Sequence, residues 1–177
     1  GYVGAVCAGC LSARGHEVIG VDVSATKIDL INQGKSPIVE PGLEALLQQG
    51  IANQRLRGTT DFAQAIRDSD VSMICVGTPS KKNGDLGLEY IESVCREIGL
   101  VLRDKSSRHT IVVRSTVLPG TVKNVVIPIL EDGSGKKAGV DFGVAVNPEF
   151  LRESTAIKDY DFPAMTVIGE LDQQSGD

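Results

Sequence analysis

The first four residues, Gly1-Tyr2-Val3-Gly4, place two glycines at a spacing that suits an anion, and Asp22 follows 18 residues after Gly4. Glycines let backbone N–H groups approach a pyrophosphate, and the amino end of a following helix favours negative charge. An acid near that spacing, at the end of the next strand, accepts hydrogen bonds from ribose hydroxyls. Its charge repels a 2′-phosphate, so the pattern favours NAD over NADP as cofactor. Lys27, five residues on, reaches the same ribose or the adenine edge. The bland alternative is a glycine turn of any α/β protein, with Asp22 capping near Ser24. The opening residues read as the back half of a Gly-x-Gly-x-x-Gly turn, and position 1 is not Met. The chain is therefore expected to be a fragment, cut just after the first strand of a dinucleotide-binding unit.

Three further strand ends carry groups able to do chemistry. Val76-Gly77-Thr78-Pro79 presents a hydroxyl and free backbone groups, and Arg114-Ser115-Thr116-Val117 precedes a helix. In Asn147-Pro148-Glu149-Phe150-Leu151-Arg152-Glu153 two acids stand four residues apart. On one helical turn Glu149 and Glu153 would share a face, and at a strand end they could act as acid/base groups near an alcohol. Against these readings stand an ordinary turn, a helix cap, and a charged surface turn with Arg152 as partner. The Lys81-Lys82-Asn83-Gly84-Asp85 run reads as a solvated loop. Gly4 to Gly9 has phosphate-loop spacing, but Cys10 stands where lysine is required, which argues against an ATPase. Cys7 and Cys10 read as buried thiols more readily than as a redox pair, and Cys75 and Cys95 as structural. His16 and His109 lack metal-ligand spacing, so no metal is expected.

The elements that must position these groups alternate in type. Helices are expected over Ala5–Arg14, from Ser24 through Leu30 to near Gly34, from Pro41-Gly42 through Leu46, over Leu88–Leu102, and over Pro119–Leu130 with proline in the first turn. Strands are expected at Glu17–Val23, Asp70–Val76, Thr110–Arg114, Phe142–Val146 and Met165–Gly169. Such alternation implies an α/β fold, a doubly wound Rossmann-type parallel sheet, here truncated at its first strand, with ligands at the carboxyl ends of the strands. The 177 residues suffice for one α/β domain. Aromatics are 4%, so Val, Ile, Leu and Ala must fill the core. No apolar run is long enough to span a membrane. The net charge of −5, with scattered Lys and Arg, speaks against nucleic acid as a partner. Four cysteines without a disulfide framework, and no visible signal peptide, suggest a reducing cytoplasm.

Taken together, GYVGAVCAGCLSARGHEVIGVDVSATKIDLINQGKSPIVEPGLEALL, VSMICVGTPSKKNGDL, VVRSTVLPGT and VNPEFLRE occur in that order. The whole chain resembles the NAD-binding domain of the UDP-glucose/GDP-mannose dehydrogenase family. The run Ser154 to Pro163, STAIKDYDFP, is similar to the mannose branch. The resemblance implies that the backbone of Gly1, Tyr2, Val3 and Gly4 lies on the NAD pyrophosphate, and that Asp22 and Lys27 hold the adenosine ribose. It implies that Thr78 and Thr116 contact the cofactor nearer the nicotinamide. Thr116 and Glu153 would place the hydrolytic water or the substrate, with Glu149 a second acid of the same motif.

Members of the family oxidise a sugar C6 alcohol to a carboxylate with two NAD. A cysteine thiol captures the aldehyde, and water cleaves the resulting thioester. That cysteine lies in a later domain with no counterpart among residues 1–177. The substrate-binding Lys and Asn and the long central helix are also absent. The resemblance thus implies one NAD-binding domain over 1–177, a nucleotide-sugar substrate, a homo-oligomeric full-length protein and no turnover by this piece alone. Two other readings stand beside it: a UDP-sugar dehydrogenase, and a non-catalytic NAD-binding module, which would have no need of Thr116 and Glu153.

Overall fold

The computed structural model describes residues 1–82 and 84–176; Asn83, within the run read as a solvated loop, lies outside them. The helices are α1 (Tyr2–Ala13), α2 (Ala25–Asn32), α3 (Leu43–Ala52), α4 (Phe62–Arg67), α5 (Glu89–Asp104), α6 (Ile127–Ser134), α7 (Ala156–Asp161) and α8 (Gln173–Gly176). The strands are β1 (Val18–Val21), β2 (Leu56–Thr59), β3 (Val71–Ile74), β4 (Thr110–Val113), β5 (Gly143–Val146) and β6 (Gly169–Glu170). They form two compact units, one of Gly1–Ala65 with Phe150–Met165, the other of Ile66–Glu149 with the residues from Thr166 onward.

In the first unit β1 and β2 pair in parallel, Val18 opposite Leu56 and Val21 opposite Thr59. The small residues of α1 let it approach α3 closely: a Cβ on Gly9 would lie 2.9 Å from Leu43 Cδ1. Val6, Leu43 and Leu47 are fully buried at this contact, with Ala5, Ala8, Cys10, Ile31, Leu56 and Ala156 completing the core. Ser24 caps α2 through the Lys27 N–H, as its residue type predicts. β2 had no sequence signal, because Leu-Arg-Gly-Thr is short and poor in strand formers. It is held by pairing and by the Asn32 amide, which donates to Gly58 O at 3.0 Å and accepts the Gly58 N–H at 2.6 Å. Short α4 and α7 likewise lack a periodic signal. Arg14 stacks on the Tyr160 ring at 4.7 Å and pairs with Asp161 at 2.9 Å, tying α7 to α1.

In the second unit β3, β4 and β5 are parallel neighbours, and β6 joins β5 antiparallel. The expected Met165–Gly169 strand is thus reduced to Gly169–Glu170, with opposite polarity to its neighbour. Helix α5 buries Ile91, Cys95, Ile98 and Leu102 on one stripe, the spacing that its sequence shows. Against it lies α6, close enough that a Cβ on Gly99 would sit 3.1 Å from Gly133 Cα. The helix expected from Pro119 starts later, after a turn with Gly120 at φ +88°. It opens with a π-helical turn at Val122–Val126 and becomes α-helical at Ile127. Pro128 has no N–H to donate back to Asn124, and the register shift just before it accommodates that missing bond. His109 is buried between β3 and β4: its Nδ1–H donates to Ser69 O at 2.9 Å and its Nε2 accepts the Ser72 hydroxyl at 2.8 Å.

Candidate functional site

In the first unit the glycine corner opens α1 directly, with Gly1 at the N-cap. No side chain caps this helix end and no acid lies in its first turn, and an N-terminus of this kind favours negative charge. Asp22 follows β1. Its Oδ1 accepts the Ser24 N–H at 2.9 Å, while Oδ2 lies 3.3 Å from the Gly1 nitrogen and 3.6 Å from Lys27 Nζ. Partial burial works against the charged form of Asp22, while the Ser24 N–H and the Lys27 ammonium favour it. The structure thus brings Gly1, Asp22 and Lys27 together. Tyr2, Val3 and Gly4 are half-buried in the first turn of α1.

Sequence reasoning missed the partner of the Tyr2 side chain. The Tyr2 hydroxyl donates to Glu40, a buried carboxylate that also accepts the N–H groups of Ser154 at 2.8 Å and Ala156 at 3.0 Å. Burial and the Glu40 carboxylate push the Tyr2 phenol up to about 12. A single acid before Pro41 has no spacing signature, so nothing in the sequence pointed to Glu40. Glu153 is exposed in the turn that precedes α7. An open cleft of about 410 Å³ lies beside it, lined by Glu40, Pro41, Ser154, Thr155, Ile157 and Lys158 among others. Neither the glycine corner nor Asp22 lines that cleft.

In the second unit the parallel strands deliver three loops at one edge. Thr78 Oγ1 donates to Thr116 O at 2.8 Å, which brings two of the expected residues into contact. Ser115 underpins them through its hydroxyl, donated to Ile74 O at 3.2 Å and Val76 O at 2.6 Å. After β5, the Asn147 amide accepts from Arg114 and donates to Val167 O at 2.9 Å. Glu149 is half-buried in the irregular segment that follows. Residues 147–152 form no helical turn, so Glu149 and Glu153 do not share a helix face. They fall in different units. Arg152 is held by Asp159, with Nη2 to Oδ1 at 2.6 Å and Nε to Oδ2 at 3.1 Å.

Cys7, Cys10 and Cys95 are buried and unbridged, and burial pushes Cys10 and Cys95 up to about 12. Among the described residues, no group of three or more His, Cys, Asp or Glu could hold a metal, and no helix is long and apolar enough to cross a membrane.

An uncapped helix end beside an acid-terminated strand, in an α/β fold of parallel strands, defines a Rossmann-type dinucleotide-binding domain. Comparison with known proteins makes the class specific. The profile of the UDP-glucose/GDP-mannose dehydrogenase family, NAD binding domain, matches residues 1–177, and the chain belongs to that family. It is 92% identical over 177 residues to a GDP-mannose 6-dehydrogenase of Pseudomonas putida, covering 100% of this chain and 40% of that protein. The fold superposes with a TM-score of 0.98 on a ternary complex of GDP-mannose dehydrogenase from Pseudomonas aeruginosa, at 84% identity, covering 99% of this chain and 40% of the other. A UDP-glucose dehydrogenase from Pyrobaculum islandicum gives a TM-score of 0.93 at 38% identity, again covering 99% of this chain and 40% of the other. The chain therefore spans about 40% of the length of these relatives.

Proposed function

We propose that residues 1–177 are the cofactor-binding part of an enzyme that oxidises the C6 alcohol of GDP-mannose to GDP-mannuronate, using two NAD and one water. The observation that carries this reading is the Asp22 carboxylate just after β1, which accepts the Ser24 N–H at 2.9 Å and lies 3.6 Å from Lys27 Nζ, beside a start of α1 that no side chain caps. Supporting it, several Pseudomonas relatives called GDP-mannose 6-dehydrogenase are 84–92% identical, against 39% for a Haloferax volcanii UDP-glucose 6-dehydrogenase. Bound NAD supplies the hydride acceptor. The chain's own groups do the rest: the amides at Gly1–Gly4 hold the diphosphate, and Asp22 with Lys27 fixes the ribose. Thr78 and Thr116 meet the nicotinamide side. Thr116 and Glu153 place the substrate and the hydrolytic water, with Glu149 a second acid of the same motif, and a carboxylate activates the water.

The thiol that captures the aldehyde lies in the remainder of the protein. The product is a precursor for an alginate-type polysaccharide, made in the cytoplasm by a homo-oligomer. NADH absorbance tests this reading. The full-length protein is expected to reduce NAD with GDP-mannose far faster than with UDP-glucose, and residues 1–177 alone to bind NAD without turnover. Preference for UDP-glucose would replace the substrate, and steady turnover by the isolated piece would remove the need for a later thiol.

A further inference from the structure

We propose that Glu40 is a positioning residue that aims Glu153, by anchoring the strained turn in which Glu153 stands to the same tyrosine that opens the cofactor corner. The inference rests on the role given to Glu153 above. Ser154 sits at φ +71°, in the left-handed region that a non-glycine residue enters only at a cost. The next residue, Thr155, is the N-cap of α7 but makes no side-chain cap bond. Glu40 supplies that function from 116 residues away: its Oε1 takes the Ala156 N–H at 3.0 Å and its Oε2 the Ser154 N–H at 2.8 Å. Its third donor is the Tyr2 hydroxyl.

On the other side, the Arg152 N–H donates to Asp159 at 3.0 Å, and the Thr155 hydroxyl donates to the same oxygen at 3.0 Å. Glu153 is thus the exposed residue between two fixed points. Its carboxylate lies close enough to Tyr2 to add to the resistance of the phenol to ionisation. A buried carboxylate with three donors is satisfied only while the turn keeps its shape. Occupied this way, Glu40 couples the first turn of α1 to the orientation of Glu153.

The test is Glu40→Gln in the full-length protein. The amide keeps the shape but turns one oxygen into a donor, which must face either the Ala156 N–H or the Ser154 and Tyr2 donors. With turnover dependent on an aimed acid, kcat is expected to fall roughly 10- to 100-fold while the KM for NAD stays within about threefold. Adding Ser154→Gly is expected to recover much of the loss, because glycine holds the left-handed conformation without an anchor. Activity of Glu40→Gln within about twofold of the unchanged protein would overturn the proposal. So would parallel loss of NAD binding and kcat without rescue by Ser154→Gly, which marks a general folding role. Should Glu40→Gln not fold, Tyr2→Phe removes one donor only, and a kcat lowered about two- to fivefold is expected, an unaltered one counting against the clamp. Absence of turnover in the unchanged full-length protein would instead sink the functional reading and this proposal with it.

Discussion

The Thr78 hydroxyl donates to the Thr116 carbonyl at 2.8 Å, joining the loops that leave β3 and β4. The two residues lie 38 positions apart in sequence, and the parallel pairing of Ile74 with Val113 brings them together. This bond orients the Thr116 backbone at the edge where a nicotinamide is expected. Thr78→Val keeps the side-chain shape and removes the donor. It should weaken NAD binding by the worth of one hydrogen bond, about 1 kcal/mol or roughly fivefold, with melting nearly unchanged. Titration calorimetry on the full-length protein reads the affinity, and an unaltered dissociation constant would dissociate Thr78 from the cofactor.

On the proposed reading Asp22 is the acid that binds a ribose diol and rejects a 2′-phosphate. Asp22→Ala is expected to raise the NAD dissociation constant about tenfold or more, since bonds to a charged acceptor are worth ~1.5–3 kcal/mol. The preference for NAD over NADP should shrink at the same time. Competition between the two cofactors measures both effects, and an unchanged NAD affinity would show that the acid of this strand does not touch the cofactor.

His109 is expected to make the fold of β3–β5 sensitive to acid. Burial pushes its pKa from 6.5 down to about 4, because no charged imidazolium is tolerated between β3 and β4. Unfolded chain takes up this proton near pH 6.5, the folded chain only near 4. The stabilisation is complete above pH 6.5 and is lost as pH falls through that interval, reaching roughly 3 kcal/mol at the acid limit. His109→Gln can still donate to Ser69 and accept from Ser72 without titrating. Melting curves across this range should slope less steeply for the variant, and identical slopes would refute the assignment.

Gly99 faces Gly133 across the α5–α6 contact, where an added Cβ would meet Gly133 Cα at 3.1 Å and Leu130 O at 3.3 Å. Both neighbours are backbone and cannot rotate aside. Gly99→Ala should therefore destabilise by about 1–3 kcal/mol, although alanine favours helix. Gly77, whose Cβ position meets nothing within 4 Å, is the control and should tolerate the same change. Calorimetric melting distinguishes them; equal midpoints would mean that the helices part easily.

Long periodic elements were legible because their burial follows from their own spacing, as in the Ile91, Cys95, Ile98 and Leu102 stripe of α5. Cap chemistry was legible at Ser24 for the same local reason. β2 was not, since Leu56–Thr59 becomes a strand only through β1 and the Asn32 amide. Nor was the late start of the helix after Gly120, which depends on a proline inside an otherwise helical run.

By itself the sequence determined which groups are available and how many residues separate them: glycines that open α1, Asp22 after one strand, threonines after two others, two acids near Asn147. These are local properties, set by side-chain type and by the short range of helix and strand periodicity. Only the tertiary structure decided which of them meet. It placed Glu40 under a turn 114 residues later, set Ser154 in a left-handed conformation, and assigned Glu149 and Glu153 to different units. Such pairings arise because a buried carboxylate must find donors wherever the packed chain offers them, and no spacing rule encodes that search.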